Sequence, residues 1–212
     1  MQKNKKPIRL LLVDDHTIVR MGLSALLEVE EDFEVIGEAG SGAEAIEMFG
    51  RLKPDITLLD IRMPQMDGIE VLSQLVKQWP KARIIMLSTS ITEDEIHRAL
   101  ENGASGYLHK QVGRSELIHA VRQVHAGEDY MPAFVSKELA SSGDKPRLSS
   151  REREILAMLP RGLTNQDIAL ALGIGFGTVK AHLRTIFSKL EVTDRSEAVS
   201  VAVQRGILHL DE

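Results

Sequence analysis

The sequence predicts an α/β fold with a parallel, doubly wound sheet, followed by a smaller all-α part. Three observations carry this. Short, branched apolar runs alternate with segments of helical period between residues 8 and 127. The alternation lapses at Ser141-Ser142-Gly143-Asp144-Lys145-Pro146, a small, polar, turn-forming stretch of linker composition. From Leu148 onward every periodic segment is helical.

The elements follow in order. Ile8–Val13 is a continuous apolar run, as a buried strand requires. Residues 16–29 place Ile18, Met21, Leu23, Leu26 and Leu27 at helical spacing. Phe33–Ala39 reads as a strand and 43–52 as a helix. A strand over 55–60 precedes a helix over 69–79, bounded by Gly68 and Pro80. A strand over 83–88 and a helix over 93–102, ended by Gly103, come next. A short strand, 107–109, and a helix over 115–125, stopped by Gly127, complete the alternation. Such a parallel sheet forms its sites beyond the C-terminal strand ends, where strand order reverses.

In the second part, Ser149 and Ser150 can cap a helix running to about 157, and Pro160 should end it early. Thr164-Asn165-Gln166-Asp167 has capping-box spacing, with Asp where Glu or Gln is usual. The turn Gly173-Ile174-Gly175-Phe176-Gly177 leads into a helix over 178–190, with Phe176 expected to pack inward. A last helix over 197–204 ends at Gly206.

Composition narrows the chemistry. With 43% hydrophobic residues in 212, wholesale disorder is excluded. The absence of cysteine excludes disulfide scaffolds, thiolate zinc sites, iron–sulfur clusters and cysteine nucleophiles. No uncharged apolar run approaches the roughly 20 residues of a membrane span. The basic start, Met1 to Pro7, leads into the first strand and not into a cleavable signal, so a cytoplasmic protein without membrane contact is expected. The net charge of −5 averages unlike parts: residues 1–140 hold 16 basic against 22 acidic side chains, residues 141–212 hold 10 against 9. That asymmetry suggests two jobs.

The acidic groups fall where a parallel sheet concentrates them. Asp14 and Asp15 follow the first strand, Asp60 ends the third, Ser88 ends the fourth and Lys110 follows the fifth. Taken singly, Asp15 would cap the next helix, Asp60 would start a turn before Met63-Pro64, Ser88 would be a strand-end hydroxyl and Lys110 would be solvated. Their joint placement points further. Three crowded carboxylates call for a cation, and oxygen ligands suit a hard one such as Mg²⁺. With a lysine and a hydroxyl, such a cluster can hold a phosphoryl group, and Asp60 can accept one as a nucleophile.

Val13-Asp14-Asp15-His16, Leu59-Asp60-Ile61-Arg62-Met63-Pro64, Met86-Leu87-Ser88 and Gly106-Tyr107-Leu108-His109-Lys110 resemble the receiver domain of two-component response regulators. The resemblance implies a flavodoxin-like (βα)5 fold with strand order 2-1-3-4-5. It implies that Asp60 accepts a phosphoryl group from a sensor histidine kinase. Asp15, Asp60 and the Arg62 carbonyl would ligate Mg²⁺, with Asp14 assisting through water. Lys110 and Ser88 would hold the phosphoryl oxygens, and Tyr107 would move inward as Ser88 shifts. One departure is Lys110-Gln111, where many receivers have proline.

The helix over 178–190 places Val179, Leu183, Ile186 and Leu190 on one face and Ala181, Arg184, Thr185 and Ser188 opposite. Lys180 and Lys189 flank the polar face, and the segment has no acid. With the helix before it, this is helix-turn-helix spacing. Leu148-Ser149-Ser150-Arg151-Glu152, Gly162-Leu163-Thr164-Asn165-Gln166-Asp167 and Thr178-Val179-Lys180-Ala181-His182 resemble the four-helix LuxR-type DNA-binding domain, and the pair of domains resembles the NarL/FixJ family. The implied layout is a receiver over 7–127, a linker over 128–146 and a DNA-binding domain over 147–212. Lys180, Ala181 and Arg184 would face bases of double-stranded DNA, and Thr178, Asn165 and Lys189 would sit near phosphates. The active form would be a homodimer that engages the transcription machinery. The family commonly has Ser and then an acid before Thr-Val-Lys, where this chain has Gly175-Phe176-Gly177.

The same residues bear on two other functions. A phosphorylation-independent DNA binder would not need all five receiver residues. An Asp-nucleophile phosphatase of the haloacid dehalogenase type wants Asp-x-Asp, and position 62 is Arg. A phosphoacceptor that is not a turnover enzyme is therefore expected.

Overall fold

The computed structural model describes residues 6–89, 92–132 and 148–208; most of the expected linker, 133–146, lies outside the described residues. The chain divides into two compact units.

The first unit runs β1 (Ile8–Val13), α1 (Thr17–Leu27), β2 (Phe33–Ala39), α2 (Gly42–Leu52), β3 (Ile56–Asp60), α3 (Gly68–Gln78), β4 (Ile84–Ser88), α4 (Glu93–Glu101), β5 (Gly106–His109) and α5 (Arg114–Ala126). The strands are parallel in the order β2-β1-β3-β4-β5. Leu10, Leu11 and Leu12 are fully buried, as are Ile56, Leu58 and Leu59. Consecutive buried residues mean that both sheet faces are covered, which is why these strands read as unbroken apolar runs. Helices α1 and α5 cover the face of Leu10, Leu12, Leu58, Ile85, Leu87 and Leu108. Each such side chain contributes about 1.5–3 kcal/mol by leaving water.

Local chemistry sets the helix ends. Ser41 accepts from the Glu44 N–H and Asp67 from those of Ile69 and Glu70. Gly127 closes α5 with φ 95°, a conformation that glycine adopts without strain. Tyr130, the third residue of the expected linker, bridges Gly106 and so remains part of this unit. Among the described residues, no helix is long and apolar enough to cross a membrane.

The second unit comprises α6 (Ser150–Met158), α7 (Asn165–Leu172), α8 (Phe176–Leu190) and α9 (Arg195–Gln204). Ser149 with Glu152, and Thr164 with Asp167, form complete capping boxes, so aspartate serves at the third position as glutamate would. Helix α6 stops two residues before Pro160, as expected. Val179, Leu183, Ile186 and Leu190 are the buried stripe of α8. They pack with Ile155, Leu156, Ile168, Ala198 and Ala202 in one core.

Three expectations need correction. Helix α9 begins at Arg195, not 197, with Asp194 as its cap accepting from the Glu197 N–H. Helix α8 begins at Phe176, not 178, because the Gly175 carbonyl accepts from the N–H groups of Thr178 and Val179, at 2.9 and 3.1 Å. Phe176 does not pack inward. It is 48% exposed and lies outside the core cluster.

Candidate functional site

The strand order reverses between β1 and β3, and the chain leaves both strands into acid. Register pairs Val13 with Leu59, Asp60 with Leu87 and Ser88 with His109. The C-terminal ends of β1, β3, β4 and β5 therefore finish level. Asp14 and Asp15 follow β1, Asp60 ends β3, Ser88 ends β4 and Lys110 follows β5.

These residues meet. Lys110 Nζ lies 2.6 Å from Asp14 Oδ2 and 2.8 Å from Asp60 Oδ2. The Lys110 N–H donates to the Ser88 carbonyl at 2.8 Å, which ties β5 to β4 at the site. Asp60 Oδ1 accepts from the Arg62 N–H at 3.2 Å, and this folds the chain back beside the carboxylate. Asp14 and Ser88 are fully buried and Asp60 nearly so. Tyr107 is also fully buried.

Burial pushes the Asp60 carboxyl above the ordinary carboxylate value, against the opposing pull of the Lys110 ammonium. Burial works to lower the Lys110 ammonium, but Asp14 and Asp60 outweigh it and hold it above its usual value. Lys110 is thus a fixed cation between two buried carboxylates.

Ligand atoms of Asp14, Asp15, His16 and Asp60 lie within 4.8 Å of one another. Three carboxylates against one lysine leave the cluster short of positive charge, and hard oxygen donors dominate it. The donor set fits Mg²⁺. His16, which its sequence position alone did not single out, joins through Nδ1, 2.9 Å from Asp15 Oδ1 and 3.2 Å from Asp14 Oδ1. Asp15 does not cap α1. The N-cap is His16, with no side-chain cap bond, so the Asp15 carboxylate is left to the cluster.

Gly68, which the sequence marks as the boundary of the following helix, also shapes this site. A Cβ there would stand 1.9 Å from the Asp60 carbonyl oxygen. The first turn of α3 is pressed against the strand end, held by the Gly68 N–H donating to the Ile61 carbonyl at 2.8 Å. Only glycine permits that approach.

In the second unit, Thr178, Lys180, Ala181 and Arg184 are exposed together on α8, opposite its buried stripe. Lys180 and Arg184 enter no ion pair among the described residues. Asn165 opens α7 and is half-buried. Lys189 stands apart: its Nζ lies 2.7 Å from Glu152 Oε2, so this ammonium already serves a pair inside the unit. Burial works to raise the Glu152 carboxyl, but Lys189 and the Ser149 N–H outweigh it and hold it below the usual glutamate range.

Comparison with known proteins agrees with both halves. Residues 10–122 match the family model of the response regulator receiver domain. Residues 146–202 match that of bacterial regulatory proteins of the luxR family. The response regulator protein VraR of Staphylococcus epidermidis is 39% identical over 206 residues, covering 95% of this chain and 99% of its own. The crystal structure of the response regulator ChrA, from a heme-sensing two-component system, is 36% identical, covers 96% of this chain and all of its own, and has a TM-score of 0.55. The structure of an RcsB–DNA complex is 25% identical, covers 93% of this chain and 98% of its own, and has a TM-score of 0.66.

Proposed function

Because the chain belongs to the two-component response regulators with a LuxR-type DNA-binding domain, the NarL/FixJ family, we propose that Asp60 is its phosphoacceptor and α8 its DNA-reading element. The protein is a phosphorylation-controlled transcription regulator. The observation that carries the site assignment is Lys110 Nζ placed between Asp14 and Asp60 at the switch point of the sheet.

In the transfer step, an Asp60 carboxylate oxygen forms a bond to phosphorus as the P–N bond of a kinase phosphohistidine breaks. The freed imidazole takes up a proton. Asp15, Asp60 and the Arg62 carbonyl would hold Mg²⁺, with Asp14 assisting through water, and the ion would offset charge on the phosphoryl oxygens. Lys110 is within reach of Asp60 and exchanges its ion pair with that carboxylate for one with the phosphoryl group. The Ser88 hydroxyl, at the adjacent strand end, supplies a donor. Moving Ser88 toward the new anion changes the space beside Tyr107, which couples charge at the site to the shape of the β4–β5 side. A phosphoryl group shifts this equilibrium only by its preference for the second arrangement.

Lys180, Ala181 and Arg184 would then read base edges, while Thr178 and Asn165 position the helix on phosphates. Binding as a homodimer would place two α8 helices one helical turn of DNA apart. A regulator of this kind engages the transcription machinery, and we read it as a phosphoacceptor and not a turnover enzyme, since Arg62 stands where a phosphatase would need a second acid. Intact-mass measurement after incubation with a small-molecule phosphodonor and Mg²⁺ tests the assignment. A single hydroxylamine-labile phosphoryl adduct, absent from Asp60→Asn, is expected; an adduct that persists in Asp60→Asn overturns it.

A further inference from the structure

Phe176 is the first residue of α8, and it is out of place there by ordinary packing logic. Nearly half its surface meets solvent, and the core of its unit forms without it. Lys180, one helical turn on, places Nζ over the ring face at 5.2 Å from the centroid. The glycines on either side answer no packing need. A Cβ at Gly177 would meet nothing within 4 Å, and Gly175 has an unremarkable φ of −71°. The half-exposed ring therefore lies beside Lys180 at the start of the exposed face of α8.

A lysine ammonium on a flexible four-carbon stem binds poorly as a specific probe, because its rotamers must be fixed when it docks. A ring beneath it restricts that freedom beforehand and keeps the charge, since a cation–π contact leaves the ammonium protonated with its N–H groups available. We propose that Phe176 is a positioning residue for DNA recognition, holding Lys180 in the orientation in which it meets its base edge. The inference rests on the DNA-binding reading above. It departs from that reading in giving a role to Phe176, which that reading leaves without one.

The test uses the full chain and the duplex that the wild type selects from a random pool. Phe176→Leu should weaken binding about two- to five-fold, the worth of an exposed cation–π contact. Phe176→Tyr should restore it. Preference should relax at the base position that Lys180→Ala also relaxes, and the double variant Phe176→Leu/Lys180→Ala should bind no worse than Lys180→Ala alone. The thermal midpoint of Phe176→Leu should stay within about 3 °C of wild type, because the ring is outside the core. In the free protein, the Lys180 ε-protons should show an upfield ring-current shift that Phe176→Leu removes. Strict additivity of the two substitutions, or absence of that shift, overturns the inference while leaving the DNA-binding reading intact. A wild type that selects no duplex overturns both, and then the ring-current shift alone shows whether the contact exists.

Discussion

Lys110 Nζ lies 2.8 Å from Asp60 Oδ2 and also 2.6 Å from Asp14 Oδ2, so one ammonium balances two buried carboxylates at the ends of β3 and β1. The arrangement holds charge ready for chemistry at some expense in stability.

Removal of the Asp60 charge should therefore stabilise the metal-free protein. Burial holds the Asp60 carboxyl above its unfolded value. A group of that sign favours the fold at low pH and disfavours it as pH rises through the folded-state value. Asp60→Asn should raise the unfolding free energy by on the order of 1 kcal/mol at pH 7, and by less at pH 4. Urea melts at the two pH values check this; a destabilised Asp60→Asn at pH 7 contradicts it.

Mg²⁺ should act oppositely, by supplying the missing positive charge. At about 100 times its dissociation constant the ion should add about 2.7 kcal/mol to wild-type stability. Asp15→Asn and Asp60→Asn should each lose most of that gain in thermal melts with and without the ion. An equal gain in both variants would place the metal elsewhere.

Two glycines make a matched pair of tests. A Cβ at Gly68 would collide with the Asp60 carbonyl at 1.9 Å, whereas one at Gly177 meets nothing within 4 Å. Gly68→Ala should cost about 1–3 kcal/mol, as overpacking does, and should slow phosphoryl acceptance by moving Asp60. Gly177→Ala should instead stabilise α8 by up to about 1 kcal/mol. Parallel denaturant melts decide, and equal effects at the two positions would refute the contrast.

Acid should weaken the second unit through Glu152. Its carboxyl is held below the unfolded value, so its contribution is present above that value and is lost as pH falls through the folded one. Glu152→Gln should lower stability at pH 7 by about 2 kcal/mol and flatten the acid limb below about pH 4.3. Lys189→Met should also destabilise, because it strands the buried Glu152 carboxylate. A Lys189 variant with normal melting but weakened DNA binding would return that residue to the phosphate-contact role.

Much of this was legible in sequence for reasons that the structure makes plain. Leu10-Leu11-Leu12 reads as a buried strand because both faces of the sheet are covered, and the parallel topology then places Asp14, Asp60, Ser88 and Lys110 at one edge without further information. The α8 stripe was equally direct, because period alone decides which residues face the core. What escaped depended on contacts that period cannot encode. The Glu152–Lys189 pair spans 37 positions, and neither residue carries a local sign of the other. His16 lies outside the apolar periodicity of its segment, and enters the cluster because β1 stops just before Asp14. Phe176 between two glycines has the composition of a turn. The helical hydrogen bonds to the Gly175 carbonyl override that local preference and carry the ring onto the exposed surface.

The central claim is that charge placed on Asp60 controls what α8 binds. The most direct measurement is the affinity of the full chain for its selected duplex, together with its oligomeric state, with Mg²⁺ and with or without beryllofluoride as a phosphoryl mimic. Wild type should shift toward a dimer and bind about 5- to 150-fold tighter with the mimic, the usual range of coupling between sites, and Asp60→Asn should not respond. A wild type whose affinity and oligomeric state ignore the mimic, while Asp60 is demonstrably occupied, would contradict the account.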